Sequence, residues 1–480
     1  MEGVPKVYLW PFFPGRRVFA KGSFGDFQHV IYVVLAVSAA LAAVAIVEYW
    51  SHKRRLKAIP IRILVNGTRG KSTVTRLIAA GLAAGELRTY AKTTGSAALL
   101  IRPDLQEERI RRRGAAKRRA SIMEHRWFVG EAYNDRAQAI VAECMAIRPE
   151  TIRTLETRLS HSTIGVITNV RLDHMDTMGT ELASVAEVLA ESVPEKGRCF
   201  VGSKGMDESV ESVFAQKAAR RGAELCLVGS DEETRLLCGE FSYPVFAQNL
   251  ALALAVCGAC GVPRELALRG MHGVAPDPGV RPPLEFMWCG IMIRLVNAFA
   301  ANDVQSTLEM WHSGEASTDT SCARPDASHA APCLPDCSDK PDAVRETHRF
   351  RALVFNHRED RAWRAFQLGE IAMGMGADAI LVYCLNERLA RRTVRSYYRK
   401  SGLQREEIGA LSIPVIHAMQ STDAGTLLET IRNLAGFDAV GSTGIDILCA
   451  GNIKGPGLAL TKSFAAMSPC GAEKIFLGGA

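Results

Sequence analysis

The sequence predicts an α/β protein of two domains, preceded by one transmembrane helix. Three observations predict it: an uncharged run of eighteen residues near the N-terminus, an apolar strand leading into a glycine-rich turn and a helix, and further short apolar runs that end in polar residues. The chain has 480 residues, of which 48% are hydrophobic and 23% charged. This composition is typical of a folded enzyme, and it excludes collagen-like, coiled-coil and wholly disordered chains.

The apolar run near the N-terminus predicts a transmembrane anchor over residues 30–50, after an N-terminal tail over 1–29. Tyr49 and Trp50 stand at the expected interfacial position. The long tail argues against a signal peptide, whereas a buried core helix is the alternative. The basic segment 53–57 predicts, by the positive-inside rule, a single-pass cell-membrane protein with a cytoplasmic catalytic body.

The thirteen cysteines are an odd number spread over a long chain, which indicates a reduced, cytosolic body rather than a disulfide-stapled secreted domain. Cys257 and Cys260 form a C-x-x-C at the end of an apolar run that is typical of a buried helix. No second pair and no histidine pair follows at zinc-finger spacing. Packing is therefore favoured over metal binding for these two thiols.

A strand over 61–66 leads through the turn 67–73 into a helix. A turn of this kind presents backbone N–H groups and a helix N-terminus to an anion, while Lys71 neutralises the charge and Ser72 ligates magnesium. The general phosphate-loop pattern requires glycine where this chain has Val65, so the strict pattern fails. Phosphate binding is still favoured, because a plain turn would not need Lys-Ser-Thr at the helix start.

Two further strand-like runs, 139–143 and 164–169, end in polar residues. Glu143 ends the first run, and Asp173, His174 and Asp176 follow closely after the second. Because the carboxyl ends of parallel strands meet at one edge of an open α/β sheet, we expect them to lie beside Lys71. Together they favour a metal–nucleotide site over isolated surface carboxylates.

These motifs resemble those of a known family. The loop 67–73 is similar to the shortened phosphate loop of the Mur ligase superfamily, and 168–176 is similar to its TN…DHxD signature. More closely, several segments resemble the poly-γ-glutamate synthase B subunits of bacterial capsule synthesis. These segments are 65–72, 90–95, 143–146 and 165–171. An anchor running almost directly into the ATP domain also fits those subunits.

The resemblance implies a P-loop, Mur-ligase-like ATP-binding domain over 58–280 and a smaller α/β C-terminal domain over 284–480. It implies nucleotide binding by Gly67, Thr68, Arg69, Gly70, Lys71, Ser72, Thr73, Asn249, Asn302 and Asp303. The segment 311–347, rich in Ser, Ala, Pro, Asp and Cys, is predicted to be a disordered insertion in the C-terminal domain.

The activity that the resemblance implies is that of an ATP-dependent amide ligase, extending poly-γ-glutamate through an acyl phosphate. The implied catalytic residues are Lys71, Glu143 and His174. Magnesium, with manganese as the alternative, would bind Ser72 and Glu143, and His174 would ligate a second metal. Asp173 and Asp176 are candidates for the base that deprotonates the amine, or else orient His174 and cap the following helix.

One departure from the superfamily concerns a carbamylated lysine that Mur ligases usually carry beyond the DHxD signature. This chain has Leu189 there, and the nearest lysine is Lys196 in a predicted turn. The sequence therefore leaves open whether the site contains a metal-bridging carbamate.

The run 109–119 contains seven basic residues and no acid. We hypothesise that Arg111, Arg112 and Arg113 hold the polyanionic chain, with a merely solvated face as the alternative. Arg358 and Arg361 are further substrate candidates, or else belong to a solvated loop. The total charge is +7, and outside 53–57 and 109–119 the chain sums to −4, so nucleic acid is not an expected partner.

The expected partners are glutamate, the poly-γ-glutamate chain, the membrane and small membrane subunits of a capsule synthase complex. Two alternative functions stay open. One is a Mur-type or folylpolyglutamate-type ligase acting on a small acceptor, and the other is a P-loop ATPase that drives a membrane export partner.

Overall fold

The structure is a computed structural model that describes residues 24–94, 98–110, 121–275, 283–299, 301, 303–315, 349–357, 364–401, 413–436, 444–453 and 455–467. The chain divides into two compact units, Met1–Arg55 and Leu56–Ala480. The first contains most of helix α1 (Phe24–Ala58), which begins earlier than the predicted anchor. Within the described residues, Ile31–Ala58 is the one helix long and apolar enough to cross a membrane.

The second unit contains two sheets among the described residues. The first of these sheets has eight strands. They are β1 (Ile61–Asn66), β2 (Thr89–Thr93), β3 (Leu99–Ile101), β4 (Glu107–Arg109), β5 (Ala139–Glu143), β6 (Ile164–Ile167), β7 (Arg198–Gly202) and β8 (Glu224–Val228). Their order is β4-β3-β2-β5-β1-β6-β7-β8, with only β3 and β4 antiparallel to their neighbours. β1, β2 and β5 are almost wholly apolar or buried, as expected for parallel strands covered on both faces.

Helices cover both faces of this sheet. They are α2 (Lys71–Ala84), α3 (Glu124–Asn134), α4 (Pro149–Thr154), α5 (Met175–Met178), α6 (Leu182–Ala190), α7 (Glu208–Arg221), α8 (Glu232–Cys238), α9 (Ala247–Ala259) and α10 (Arg264–His272). α4 continues into a π-helical turn, Leu155–Ser160. The predicted strands at 61–66 and 139–143 and the helix after the loop are confirmed.

Close packing of α2 against α9 and α10 depends on small residues. A Cβ on Gly81 of α2 would lie 2.6 Å from the Sγ of Cys257 and 2.9 Å from Met271, and one on Gly270 would meet the backbone of Ala80. Cys257 is a free, fully buried thiol at this contact. Its role is packing, as the sequence indicated.

The second sheet belongs to the C-terminal part of the chain. Its strands are β9 (Leu284–Trp288), β10 (Ile291–Asn297), β11 (Phe350–Asn356), β12 (Ala379–Tyr383), β13 (Val415–Ala418) and β14 (Gly444–Gly451). The order is β13-β12-β11-β14-β10-β9, and only β9 runs antiparallel.

Two helical layers enclose the second sheet. The helices are α11 (Val304–Glu315), α12 (Gln367–Gly374), α13 (Glu387–Lys400), α14 (Ala424–Ala435) and α15 (Pro456–Met467). The first three pack into one core cluster, and the last two pack into another on the opposite face.

The start of the predicted disordered insertion is wrong. Trp311 lies in α11 with only 1% of its surface exposed, and the guanidinium of Arg294 is 5.2 Å from its ring centroid. The prediction followed composition, whereas Leu308 and Trp311 recur at helical spacing and pack on the core. Residues 316–347 of the predicted insertion lie outside the described residues.

Candidate phosphate-binding site

The polar residues predicted to converge lie at the carboxyl edge of the first sheet, around the end of β1. This strand lies between β5 and β6 and is parallel to both. Connections that leave a central strand toward opposite sides open a crevice at its carboxyl end, where ligands bind in open α/β sheets. The loop 67–70 follows β1, Glu143 ends β5, and Thr168 follows β6 directly.

Two glycines are required in this loop. Gly67 has φ of 125°, and a Cβ there would lie 2.8 Å from the backbone nitrogen of Thr168. Gly70 has φ of 78°, and a Cβ there would lie 2.7 Å from the amide nitrogen of Asn249. A side chain at either position would be strained by its backbone and would collide with its neighbours.

The residues after β6 clamp the loop from the other side. The backbone N–H of Arg69 donates to Asn169 Oδ1 at 3.0 Å, and the Asn169 amide donates to the Arg69 carbonyl at 3.0 Å. Thr168 Oγ1 donates to the same carbonyl, and the N–H of Thr68 donates to the Asn169 carbonyl at 3.1 Å. Thr168 and Asn169 belong to the TN…DHxD signature, which does not by itself indicate this clamping role.

The N-terminus of α2 offers donors to an anion. Gly70 caps the helix without a side-chain hydrogen bond, and no acidic residue stands in the first turn. The first N–H groups of a helix have no intrahelical acceptor and carry its positive dipole end. Together with the ammonium group of Lys71, they make a donor set that fits a phosphate group.

Lys71 is held against the loop. Its Nζ donates to the carbonyl of Gly67 at 2.6 Å and to that of Thr68 at 3.2 Å. The packed surroundings of the ammonium group lower the pKa of Lys71, and the Glu143 carboxylate works against that shift. The cation therefore stands where the loop would receive phosphate oxygens.

Ser72 and Glu143, predicted as metal ligands, are in contact. Ser72 Oγ donates to Glu143 Oε2 at 2.9 Å, and the backbone N–H of Thr94 donates to the same oxygen at 2.6 Å. Glu143 is only 6% exposed. Magnesium is usually held by one or two carboxylates together with substrate phosphates and water, so a hydroxyl and a carboxylate beside a phosphate loop fit it.

His174 lies beside Asp173, whose carboxylate pairs with Arg69 of the loop. Its backbone has φ of 47°, and its N–H donates to Asp173 Oδ1 at 2.9 Å. Asp173 Oδ2 lies 3.9 Å from His174 Nε2 and accepts from Arg69 Nη2 at 2.7 Å. Both Asp173 oxygens are thus engaged, which favours an orienting role over that of a base.

Binding of a second metal by His174 stays a prediction. Among the described side chains, no three His, Cys, Asp or Glu residues converge in a way that could hold a metal ion. Leu189 is fully buried in α6. Lys196 precedes β7 and therefore lies at the amino edge of the sheet, opposite the phosphate loop.

Asp303 of the C-terminal domain contacts the phosphate loop of the ATP domain. Its carboxylate accepts from Arg69 Nε at 3.1 Å and from Arg171 Nη1 at 3.3 Å, and it caps α11 by accepting from the Ser306 N–H at 2.8 Å. Burial would raise the pKa of Asp303, but the two guanidinium groups offset this and hold it below its usual range. Asp303 was predicted to bind nucleotide, and in the structure it holds Arg69.

A cleft of about 810 Å³ adjoins the loop, between the two domains. The loop and α9 contribute Gly70 and Asn249, and α11 and α12 contribute Glu309 and Glu370. Gln248, the neighbour of Asn249, also lines the cleft, as does Lys204, which no sequence motif had marked. Asn249, predicted from the resemblance to bind nucleotide, lies against Gly70 and lines the cleft. Nucleotide binding by Asn249 stays a prediction.

Six predicted residues lie outside the described part of the chain. They are Asn302, Arg111, Arg112, Arg113, Arg358 and Arg361. Their assignments stay predictions.

Two family models match the chain. The Mur ligase middle domain matches residues 65–258, and the poly-gamma-glutamate synthase CapB C-terminal domain matches residues 289–467. The matches divide the chain in the same way as the two sheets.

Two curated relatives match more than half of the chain. PGA synthase CapB of Bacillus subtilis (strain 168) is 35% identical over 282 residues, which cover 58% of this chain and 70% of the relative. Capsule biosynthesis protein CapB of Bacillus anthracis is 36% identical over 283 residues, covering 59% of this chain and 60% of the relative.

Solved structures share the fold. A Mycobacterium tuberculosis folylpolyglutamate synthase complexed with ADP superposes with a TM-score of 0.56 at 14% identity, covering 90% of this chain and 98% of its own. MurF from Acinetobacter baumannii superposes with a TM-score of 0.52 at 11% identity, covering 86% and 78%. At such identities the likeness establishes the Mur-ligase-like α/β architecture and nothing finer.

Proposed function

The chain belongs to the CapB family of poly-γ-glutamate synthases, and on that premise we propose that it is a membrane-anchored, ATP-dependent amide ligase that extends poly-γ-glutamate for a capsule or exopolymer. The observation that carries the proposal is the contact of Ser72 with Glu143 beside Lys71 at the end of β1. This arrangement suits phosphoryl transfer, which depends mainly on positioning and on neutralising charge.

The loop residues would bind and orient the nucleotide. Lys71 and the first N–H groups of α2 would hold the β- and γ-phosphates, while the Asn169 clamp keeps the loop in its bound shape. Gly70 and Asn249 lead from the loop into the interdomain cleft, which is the space for the rest of the nucleotide. A preformed loop needs little reorganisation when charge develops on the transferred phosphoryl group.

Ser72 and Glu143 would hold the divalent cation. When bound, magnesium or manganese would offset the negative charge of the phosphates and of the attacking carboxylate. Thr94 fixes the Glu143 carboxylate through its backbone N–H, so the carboxylate is held in place before the cation arrives.

The proposed reaction has two chemical stages. A carboxylate oxygen attacks the γ-phosphorus of ATP, the bond to the β-phosphate breaks, and ADP leaves an acyl phosphate behind. The amine of the next glutamate then attacks the acyl carbon, phosphate leaves, and the nitrogen loses a proton to give the amide. Arg69, paired with Asp173 and Asp303, would present positive charge on the loop side of this centre.

The membrane and the partner subunits form the second part of the proposal. α1 would anchor the protein as a single-pass membrane protein with its catalytic body in the cytoplasm, as the basic segment 53–57 favours. Membership of a capsule synthase family supports small membrane subunits as partners. Co-purification of such subunits from solubilised membranes would test this.

Incubation of membranes with ATP, magnesium and labelled glutamate tests the activity. We expect phosphate release coupled to an acid-insoluble, γ-linked product. Phosphate release without glutamate and without amide product would instead support an ATPase that drives export. Incorporation of single glutamates into a small acceptor, with no polymer, would support a folylpolyglutamate-type ligase.

A further inference from the structure

A stripe of arginine side chains runs along the exposed side of α13 (Glu387–Lys400). Its members are Arg388, Arg392, Arg395 and Arg399, and each of them is exposed. They recur at intervals of four and three residues, so one guanidinium stands on nearly every turn of the same helix side. We call this set the arginine stripe. Arg391 and Lys400 flank it and line the same shallow depression of about 580 Å³.

Helix stability does not explain the arginine stripe. Like charges four residues apart repel each other, and the pairs Arg388–Arg392 and Arg395–Arg399 have this spacing. Arg388 in the first turn opposes the helix dipole, whereas Arg399 in the last turn agrees with it, so the dipole gives the stripe no clear net support. Within the described residues, the one ion pair on this helix joins Arg391 to Glu387, at 2.7 Å. Among the described side chains, no ion pair joins the stripe to an acidic group, and it therefore carries excess positive charge.

The fold of α13 depends on its other side. Ala390, Val394 and Tyr398 are buried in the core of the C-terminal domain, and Gly369 of α12 lies against the Tyr397 side chain. The arginine stripe therefore sits on a helix whose packing does not involve it.

The geometry points to the arginine stripe as a docking surface for the growing poly-γ-glutamate chain. This inference rests on the proposed function, because it takes the product as the ligand. Each glutamate of such a chain exposes one carboxylate, and guanidinium groups bind carboxylates with two parallel hydrogen bonds.

The spacing of the charges is compatible. An α-linked residue spans about 3.5 Å of extended chain, and a γ-linked glutamate lengthens that path by two carbon atoms. Its carboxylates therefore recur at a distance close to the helical pitch of about 5.4 Å, which also separates successive arginines.

The position of α13 is compatible as well. α11 and α12 contribute Glu309 and Glu370 to the interdomain cleft, and α12 packs between α11 and α13 in a single layer. A chain leaving the cleft over α12 would thus reach the arginine stripe, where cumulative weak contacts retain it between additions.

An anionic membrane surface is a less suitable ligand. A helix that lies in a membrane interface inserts an apolar face, whereas the apolar face of α13 is already buried in the core. Leu389 is the one large apolar side chain exposed on this helix. A flexible polycarboxylate in water needs no such face.

The test uses the full-length protein in detergent and fluorescent poly-γ-glutamate. We compare wild type with the combined variant R388Q, R392Q, R395Q and R399Q, and with R148Q, R158Q, R220Q and R269Q combined, which removes the same charge from exposed positions of the ATP domain. We expect the stripe variant to raise the Kd for the polymer about tenfold or more at low salt, with the control variant close to wild type. A matching set of Arg→Lys changes keeps the charge but not the paired hydrogen bonds, so it should restore only part of the binding.

Equal polymer binding by the stripe variant and the control would overturn the inference. The inference would also be overturned if the stripe variant lost binding to phosphatidylglycerol vesicles or to duplex DNA but still bound the polymer as wild type does. Polymerisation assays run beside the binding assay keep the two proposals apart. Single glutamate addition to a short acceptor should be unchanged in the stripe variant, while the product becomes shorter. Failure of wild type to form any amide product would contradict the proposed function, and the polymer affinity would still be measured.

Discussion

The phosphate loop and the arginine stripe use positive charge in opposite ways. At the loop, Lys71 donates to two carbonyl groups of the loop itself. Arg69 pairs with Asp173, which follows β6, and with Asp303, which precedes α11. On α13, four arginines of like charge stand side by side in water. Cations that are held in one position make a few strong contacts with a ligand, whereas a row of exposed arginines makes many weak ones. Single substitutions should therefore separate the two regions.

The largest effect is expected from Lys71→Ala. Loss of the loop cation should lower ATP turnover and glutamate incorporation roughly 100- to 1,000-fold, because one preorganised charge is removed from the phosphoryl group. Phosphate release and γ-linked product are measured together. Lys196→Gln is the matched control, since this lysine lies at the amino edge of the sheet. Loss of activity in the Lys196→Gln variant would support Lys196 as a carbamylated metal ligand.

Glu143→Gln should have the next largest effect. The amide keeps an oxygen for the Ser72 hydroxyl and the Thr94 N–H, so the local structure is retained while the negative charge is lost. We expect activity on the order of 100-fold lower and a higher magnesium requirement. A magnesium titration of turnover measures this, with the exposed Glu150→Gln as control. Unchanged magnesium dependence would remove Glu143 from the metal site.

Asp303→Asn tests how the C-terminal domain is held to the loop. The amide keeps the cap of α11 but loses the charge that faces Arg69 and Arg171, so unfolding free energy should fall by about 1.5 to 3 kcal/mol and the KM for ATP should change. Denaturant unfolding and steady-state kinetics measure the two effects. Asp231→Asn, an N-cap in the ATP domain, is the control.

Asp303 also predicts how the stability of the protein depends on pH. The folded pKa of Asp303 lies below its unfolded value, so its contribution to stability is complete above about pH 4 and is lost as the pH falls through the folded pKa. The ion pair should therefore persist across the physiological range. A loss of stability near neutral pH that Asp303→Asn abolishes would contradict this.

The smallest effect is expected from Arg395→Gln alone. One exposed arginine of four contributes little, so polymer affinity should fall only about twofold. Binding of fluorescent polymer measures it. A single change that matched the combined variant would show a specific pocket instead of a distributed surface.

The strand–loop–helix unit was predictable because its signals are local. The run 61–66, the turn with Gly70 and the helix from Lys71 are adjacent in sequence, and their residue types allow few other conformations. Glu143 could be placed beside Ser72 by the topology of a parallel sheet alone, and the 2.9 Å contact confirms that.

The long-range contacts were not predictable. Nothing in the sequence pairs Arg69 with Asp303, because their contact depends on how α11 is placed against the loop. The role of Thr94 was hidden for a different reason, since it acts through its backbone N–H, which any residue possesses. The arginine stripe could not be predicted because it depends on the bounds of α13 and on which side of that helix is buried.

Arg69 has a consequence for ATP binding. It belongs to the phosphate loop, yet one of its ion pairs reaches Asp303 at the start of α11. Any change in the position of the C-terminal domain therefore changes the electrostatic field at the loop. If one position of the C-terminal domain binds phosphate more tightly than another, phosphate binding must in turn favour that position. By thermodynamic linkage, the two effects have the same factor.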